Sequence, residues 1–215
     1  MRVLSVNVGM PQEVQWNGET VRTSIFKQPV TGPVAARNGN LDGDGQSDLK
    51  VHGGPFKAVY AYPSEHYAYW QDRYPSLPQT GWGLFGENLT LAGLLEQDVC
   101  IGDILRIGTV ELEVTQPRTP CFKLARRTGI TDIVMEFTRA LRPGFYFRIH
   151  REGVLAAGDE VTLIRRLDGA LSVAEVIDLV VNPSADPAIV ERAASIPTLD
   201  PQLVRKIRAR VAGVG

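Results

Sequence analysis

Val110-Glu111-Leu112-Glu113-Val114-Thr115-Gln116-Pro117-Arg118-Thr119-Pro120-Cys121-Phe122-Lys123 changes character halfway along. Its first half is apolar at every second position, the period of a strand with one buried face. Pro117 and Pro120 then stop the strand and stiffen its exit. Cys121 sits just past that stop, between Arg118 and Lys123. Nearby cations favour thiolate over thiol, and the thiolate is both the nucleophile and the soft metal ligand. The chain has no other place that sets a soft ligand on a stiff loop among positive charges. Chemistry alone leaves two readings open, a functional thiol or a small buried residue.

The rest of the chain reads as a β-rich body. It has 215 residues, 44% hydrophobic and 22% charged, enough to bury a core. Twenty-one glycines and 14 prolines imply many turns. A net charge of −1 gives no global field to recruit nucleic acid or an acidic membrane. Two cysteines are too few for a disulfide scaffold. Reduced thiols are expected, with a mutual pair left open. No targeting segment opens the chain and no apolar run reaches bilayer length, so a cytoplasmic protein is expected.

Val3 to Val8 reads as a strand. Asn17-Gly18 signals a hairpin between Glu13-Val14-Gln15-Trp16 and Glu19-Thr20-Val21-Arg22-Thr23. Ile25-Phe26-Lys27 is a further short strand, and Gly32-Pro33-Val34-Ala35 begins the next. Residues 38–48 are rich in Gly and Asp, but Gln46, Ser47 and Gly53 occupy positions where a calcium loop needs Asp or Asn, Gly and Glu. A tight polar loop is expected there. Asp48-Leu49-Lys50-Val51-His52-Gly53-Gly54 follows, a glycine turn whose N–H groups could face an anion beside Lys57. Nucleotide-binding glycine motifs are absent.

Ala58 to Tyr62 reads as a strand. Ser64 caps a short helix whose Tyr67 and Trp70 share a face, read as core with a base-stacking platform as the alternative. Gly86-Glu87-Asn88 marks a strand corner that could orient a ligand's hydrogen-bonding edge. Cys100 reads as core within a strand. Residues 124–140 read as one or two helices broken at Gly129. Phe145 to Ile149 and Val161 to Ile164 are strands. Composition changes at Asp168. Ser172-Val173-Ala174-Glu175 is a capping box, and Asp186-Pro187 and Asp200-Pro201 open two more helices. The chain therefore divides into residues 1–166 and a three-helix tail, 167–215. Arg205, Lys206, Arg208 and Arg210 make the last helix basic, a solvated face or a docking surface.

His52-Gly53-Gly54, Gly83-Leu84-Phe85-Gly86-Glu87-Asn88-Leu89, Gly102-Asp103 and Pro117-Arg118-Thr119-Pro120-Cys121 occur in the order of MOSC domains. The chain resembles the stand-alone bacterial branch, described as conferring resistance to 6-N-hydroxylaminopurine. The resemblance implies a mainly β fold, a closed antiparallel β-barrel with short marginal helices plus the three-helix tail. It implies molybdenum cofactor (molybdopterin), with Cys121 as catalytic residue and molybdenum ligand, and no pyridoxal phosphate. Arg118 follows the family motif. Charge adds Lys123, Arg37 and Lys57, and Asp48, His52, Glu87 and Asn88 are further pterin or substrate contacts.

The reaction so implied is reduction of N-hydroxylated bases or related N-oxygenated compounds. The cofactor does the redox work and the protein binds and orients. The chain carries no nicotinamide, flavin or iron–sulfur motif. Electrons are therefore expected from a separate flavin- or iron–sulfur-containing reductase. A carrier of molybdenum cofactor or sulfur, without turnover, is the alternative. A cysteine hydrolase with His52 as base and Asp48 as orienter ranks last, for want of a local nucleophile signature.

Overall fold

The computed structural model describes residues 1–47, 53–182 and 184–213. In chain order the strands are β1 (Arg2–Val8), β2 (Gln12–Trp16), β3 (Glu19–Thr23), β4 (Gln28–Pro29), β5 (Val34–Arg37), β6 (Asn40–Leu41), β7 (Val59–Pro63), β8 (Leu89–Ala92), β9 (Ile104–Ile107), β10 (Val110–Pro117), β11 (Phe145–Arg151), β12 (Gly153–Leu155) and β13 (Val161–Arg165). The helices are α1 (Glu65–Arg73), α2 (Phe122–Thr128), α3 (Ile133–Ala140), α4 (Val173–Val181), α5 (Pro187–Ala194) and α6 (Pro201–Val211).

Eight strands form one sheet in the order β13-β9-β10-β11-β7-β8-β1-β4, beside small sheets β12-β5-β6 and β2-β3. This corrects the expected closed antiparallel barrel twice. β7 and β8 run parallel, because α1 lies between them and a helical crossover returns the chain in the same direction. The sheet is also open. β1 meets the chain before β13 at the isolated bridge Arg2–Glu160, flanked by Val3 N–H to Asp159 O at 2.9 Å and Val161 N–H to Met1 O at 3.0 Å. Gly158 N–H adds a bond to Val3 O at 2.8 Å, but among the described residues the pairing stays a single bridge and no ladder joins β1 to β13. Among the described residues helix takes about 27% and strand about 31%, so the fold is mixed rather than mainly β.

β10 forms where the sequence alternation places a strand, but it is buried on both faces, Glu113, Thr115 and Gln116 included, and it runs two residues past Thr115, since Pro117 still pairs with Phe145. Two hairpins use Asn-Gly turns with both residues at positive φ: Asn17-Gly18 joins β2 to β3, and Asn38-Gly39 joins β5 to β6. The second lies inside the stretch expected to be loop. Ile25 to Lys27 is not a strand; pairing there is confined to Gln28 and Pro29. Ser64 makes no capping hydrogen bond to α1. Gly129 ends α2 in the left-handed conformation.

One apolar cluster joins the sheet (Val6, Leu91, Leu112, Phe147) to α4, α5 and α6 (Val176, Val190, Leu203, Ile207). The Ser172–Glu175 capping box and the Asp186 and Asp200 N-caps all form. A second, aromatic cluster packs α1 against α2 and α3. Its centre is Trp70 stacked on Phe137, ring centroids 4.4 Å apart and 10° from parallel. No helix among the described residues is long and apolar enough to cross a membrane.

Candidate functional site

β10 delivers the site. Beyond Pro117 the Arg118 N–H still donates to Gly144 O at 3.1 Å, continuing the strand edge. Gly144 is itself pinned, its N–H donating to Glu96 Oε1 at 2.8 Å. His66 holds the other Glu96 oxygen at 2.8 Å. Arg142 Nη1 lies 3.0 Å from His66 Nδ1; arginine only donates, so Nε2 carries the proton and donates to Glu96. Gly144 is required here: its φ is 68°, and a Cβ would stand 2.4 Å from Ala61 O.

Thr119 and Pro120 then turn the chain, and Cys121 is the N-cap residue of α2. It is half-buried, and both cysteines are free thiols. It lines an open cleft with a cavity volume of about 100 Å3. Among the described residues Lys27, Lys57, Arg118 and Lys123 line the same cleft, against one carboxylate, Asp44, which is paired with Lys27. Tyr60 and Tyr146 form part of its wall. Positive charge therefore outweighs negative around the thiol among the described residues.

Arg118 is buried, its guanidinium 4.8 Å over the Tyr60 ring, with Nη1 3.4 Å from the Tyr60 hydroxyl. Burial works against its charge, but the Tyr60 and Tyr146 oxygens and the Cys121 sulfur outweigh that and raise its pKa. Tyr60 donates in turn to Pro143 O at 2.7 Å. Burial raises the Tyr60 phenol well above its usual value, with Arg118 opposing.

Lys27 is buried and pairs with Asp44 at 2.5 Å. Burial lowers its pKa, and Asp44 only partly restores it. Asp44 also accepts from Gly9 N–H and Asn88 Nδ2 at 2.8 and 2.9 Å. The polar loop before residue 48 thus folds inward. Gln46 fixes its end, accepting from Gly54 N–H at 2.9 Å and donating to Lys57 O at 3.3 Å. Lys57 reaches toward Asp200 at 3.6 Å, which ties the cleft to α6.

Of the residues expected from sequence, Cys121, Arg118, Lys123, Lys57 and Asn88 come together. Asn88 lines the cleft chiefly as a brace, accepting from Tyr60 N–H at 3.0 Å. Arg37 does not join them; it is exposed and paired with Asp42 at 2.6 Å. Glu87 is fully buried and does not line the cleft. It accepts from Gly83 N–H, Phe85 N–H, Thr90 Oγ1 and Tyr67 O–H, and so shapes the Gly83–Glu87 turn. Asp48 and His52 lie outside the described residues.

A family model described as MOSC domain matches residues 48–162. The chain belongs to the MOSC domain family. It is 43% identical over 171 residues to the uncharacterized protein YflK of Bacillus subtilis, covering 80% of this chain and 76% of that one. It is 34% identical over 166 residues to a Gibberella moniliformis protein named reductase, covering 76% of this chain but 29% of that one. The crystal structure of YiiM from Geobacillus stearothermophilus superposes with a TM-score of 0.79 at 37% identity, covering 98% of both chains.

Sequence reasoning missed Lys27, Asp44, Tyr60 and Tyr146 in this MOSC cleft. Lys27 was read as part of a short strand and Asp44 as part of a tight polar loop. A lysine ahead of Gln28-Pro29 and an aspartate among glycines carry no local sign of burial. Their pairing spans 17 residues and needs the fold. Cys100 was read as core within a strand; it lies in the turn before β9, half-buried, its N–H donating to Asp103 Oδ2 at 2.8 Å. Burial raises its pKa, chiefly, with Asp103 adding to the effect.

Proposed function

We propose that this MOSC protein binds a molybdenum–pterin cofactor through Cys121 and reduces N-hydroxylated bases or related N-oxygenated compounds. The observation that carries the reading is the half-buried Cys121 thiol in a cleft lined by four cationic side chains. The donor chemistry fits. Among the described residues no three His, Cys, Asp or Glu side chains group to hold a metal ion. One soft thiol among cations instead suits a metal arriving with its own ligands on an anionic carrier. The reductase-named relative supports the reaction class.

In this reading Lys57 and Lys123 meet the anionic part of the cofactor, and Cys121 supplies the sulfur ligand. Arg118, locked by Tyr60, sets a fixed positive field beside that sulfur. Lys27 is held in place by Asp44 and adds a second buried cation. The bound cofactor would supply two-electron reduction, taking R–NH–OH, two electrons and two protons to R–NH2 and water. A separate flavin- or iron–sulfur-containing reductase supplies the electrons.

The test is molybdenum content of protein from a cofactor-competent host, wild type beside Cys121→Ser, followed by turnover of N-hydroxylaminopurine with an electron donor. Near-stoichiometric metal that is lost in the variant, with turnover by wild type, is expected. Metal without turnover would establish a carrier instead. No metal in either protein would overturn the reading.

A further inference from the structure

A set of buried polar groups lies behind the cleft without lining it. His66 on α1 is 2% exposed, and Glu96, in the loop between β8 and β9, is 3% exposed. Half-buried Arg142, in the turn after α3, joins them through His66 Nδ1. Its guanidinium lies 4.7 Å over the Tyr69 ring, and Tyr62 packs edge-on against His66 at 5.5 Å. Burying such groups is costly unless each is bonded. Here both Glu96 oxygens and both His66 nitrogens are used. Arg142 also fixes the tautomer, since its donor at Nδ1 leaves the His66 proton on Nε2.

What the set holds is the turn at residues 142–144. The entry to that turn is strained. Leu141 ends α3 at φ 52°, left-handed backbone that leucine rarely adopts, and Gly144 follows at 68°. Such a turn persists only where its surroundings fix it. Arg142 anchors its start on His66, and Gly144 N–H anchors its end on Glu96. The cleft takes the two carbonyls between and beyond. Pro143 O accepts from the Tyr60 hydroxyl, and Gly144 O accepts from the Arg118 N–H. An unbroken line of hydrogen bonds, at 2.8, 2.8 and 3.1 Å, thus runs from His66 through Glu96 and Gly144 to Arg118.

We propose that His66 and Glu96 are positioning residues for Arg118: they lock the 142–144 turn, and the locked turn fixes the buried guanidinium beside Cys121. The lock rests on these contacts alone; its service to a cofactor rests on the molybdenum reading. Two measurements separate them. The first is solvent exchange of the Arg118 Nε–H by NMR on the full chain as purified, the resonance assigned by its loss in Arg118→Lys. In Glu96→Gln the amide NH2 meets the Gly144 N–H or the His66 Nε2–H, donor against donor, and Arg142 blocks relief by the other tautomer. His66→Leu strands a Glu96 oxygen. An orphaned buried group in the lock should make Arg118 exchange about 5- to 150-fold faster in either variant. His66→Gln can still donate to Glu96 and accept from Arg142, and should recover most of the difference. Leu203→Ala, in the tail core, should lower Tm yet leave the exchange rate alone, which separates a local lock from general loosening. The second measurement is molybdenum content after expression in a cofactor-competent host. It should fall in Glu96→Gln and His66→Leu and hold in His66→Gln and Leu203→Ala. Unchanged Arg118 exchange in both lock variants, or equal acceleration in Leu203→Ala, would overturn the proposal. Faster exchange in a chain whose wild type holds no molybdenum would uphold the lock and sink the molybdenum reading instead.

Discussion

Glu87→Gln separates a structural carboxylate from a ligand-binding one. Glu87 is fully buried, with Oε1 accepting from Gly83 N–H at 2.8 Å, Thr90 Oγ1 at 3.0 Å and the Tyr67 hydroxyl. Oε2 accepts from Phe85 N–H at 3.1 Å. Burial raises the carboxyl's pKa, and these hydrogen bonds pull against that. A glutamine has one oxygen. If it takes the Oε1 position, its NH2 faces the Phe85 N–H, donor against donor. An orphaned buried donor costs about 1–3 kcal/mol. A chain of this size loses about 2–4 °C of Tm per kcal/mol, so Tm should fall by roughly 2–12 °C. Glu87 does not line the cleft, so molybdenum content after expression in a cofactor-competent host should hold. Differential scanning calorimetry beside metal analysis reads both. An unchanged Tm with metal lost would refute the reasoning and place Glu87 in contact with ligand.

Lys27→Met should destabilise by about 3–5 kcal/mol, because it strands a buried Asp44, while Lys27→Met with Asp44→Asn should recover much of the loss in urea denaturation. A single-variant loss below about 1 kcal/mol would show that the pair is solvated. Burial lowers the Lys27 pKa, so its contribution is complete above the ordinary lysine value of about 10.4 and is lost as pH falls through the folded value. Wild type should therefore gain stability as pH rises through that alkaline window, and the double variant should not. Asp200 caps α6 by accepting from Gln202 N–H at 2.8 Å and also takes Gln116 Nε2 at 3.0 Å. Asp200→Ala should cost about 2–4 kcal/mol and Asp200→Asn, which keeps a capping oxygen, less than about 1; equal losses would show that neither bond matters.

The sequence by itself determined what depends on near neighbours along the chain. Alternation marked β10, Asn17-Gly18 marked the first hairpin, and Ser172, Asp186 and Asp200 marked three helix starts, because period, turn chemistry and capping are settled within a few residues. Cys121 was legible as well, since the prolines and cations that distinguish it are adjacent. Tertiary structure decided the rest. The direction of β8 against β7 depends on how α1 crosses over, and the open sheet on β1 meeting the chain before β13 at a single bridge. Glu87 and Lys27 exchanged their expected standing for the same reason. Glu87 was read as a contact, but four donors seal it beneath the cleft wall; Lys27 was read as strand, but Asp44 holds it in the cleft. Lys27 meets Asp44 across 17 residues and Glu87 meets Tyr67 across 20, and only packing brings those pairs within hydrogen-bond reach, although the other three Glu87 donors lie within four residues of it.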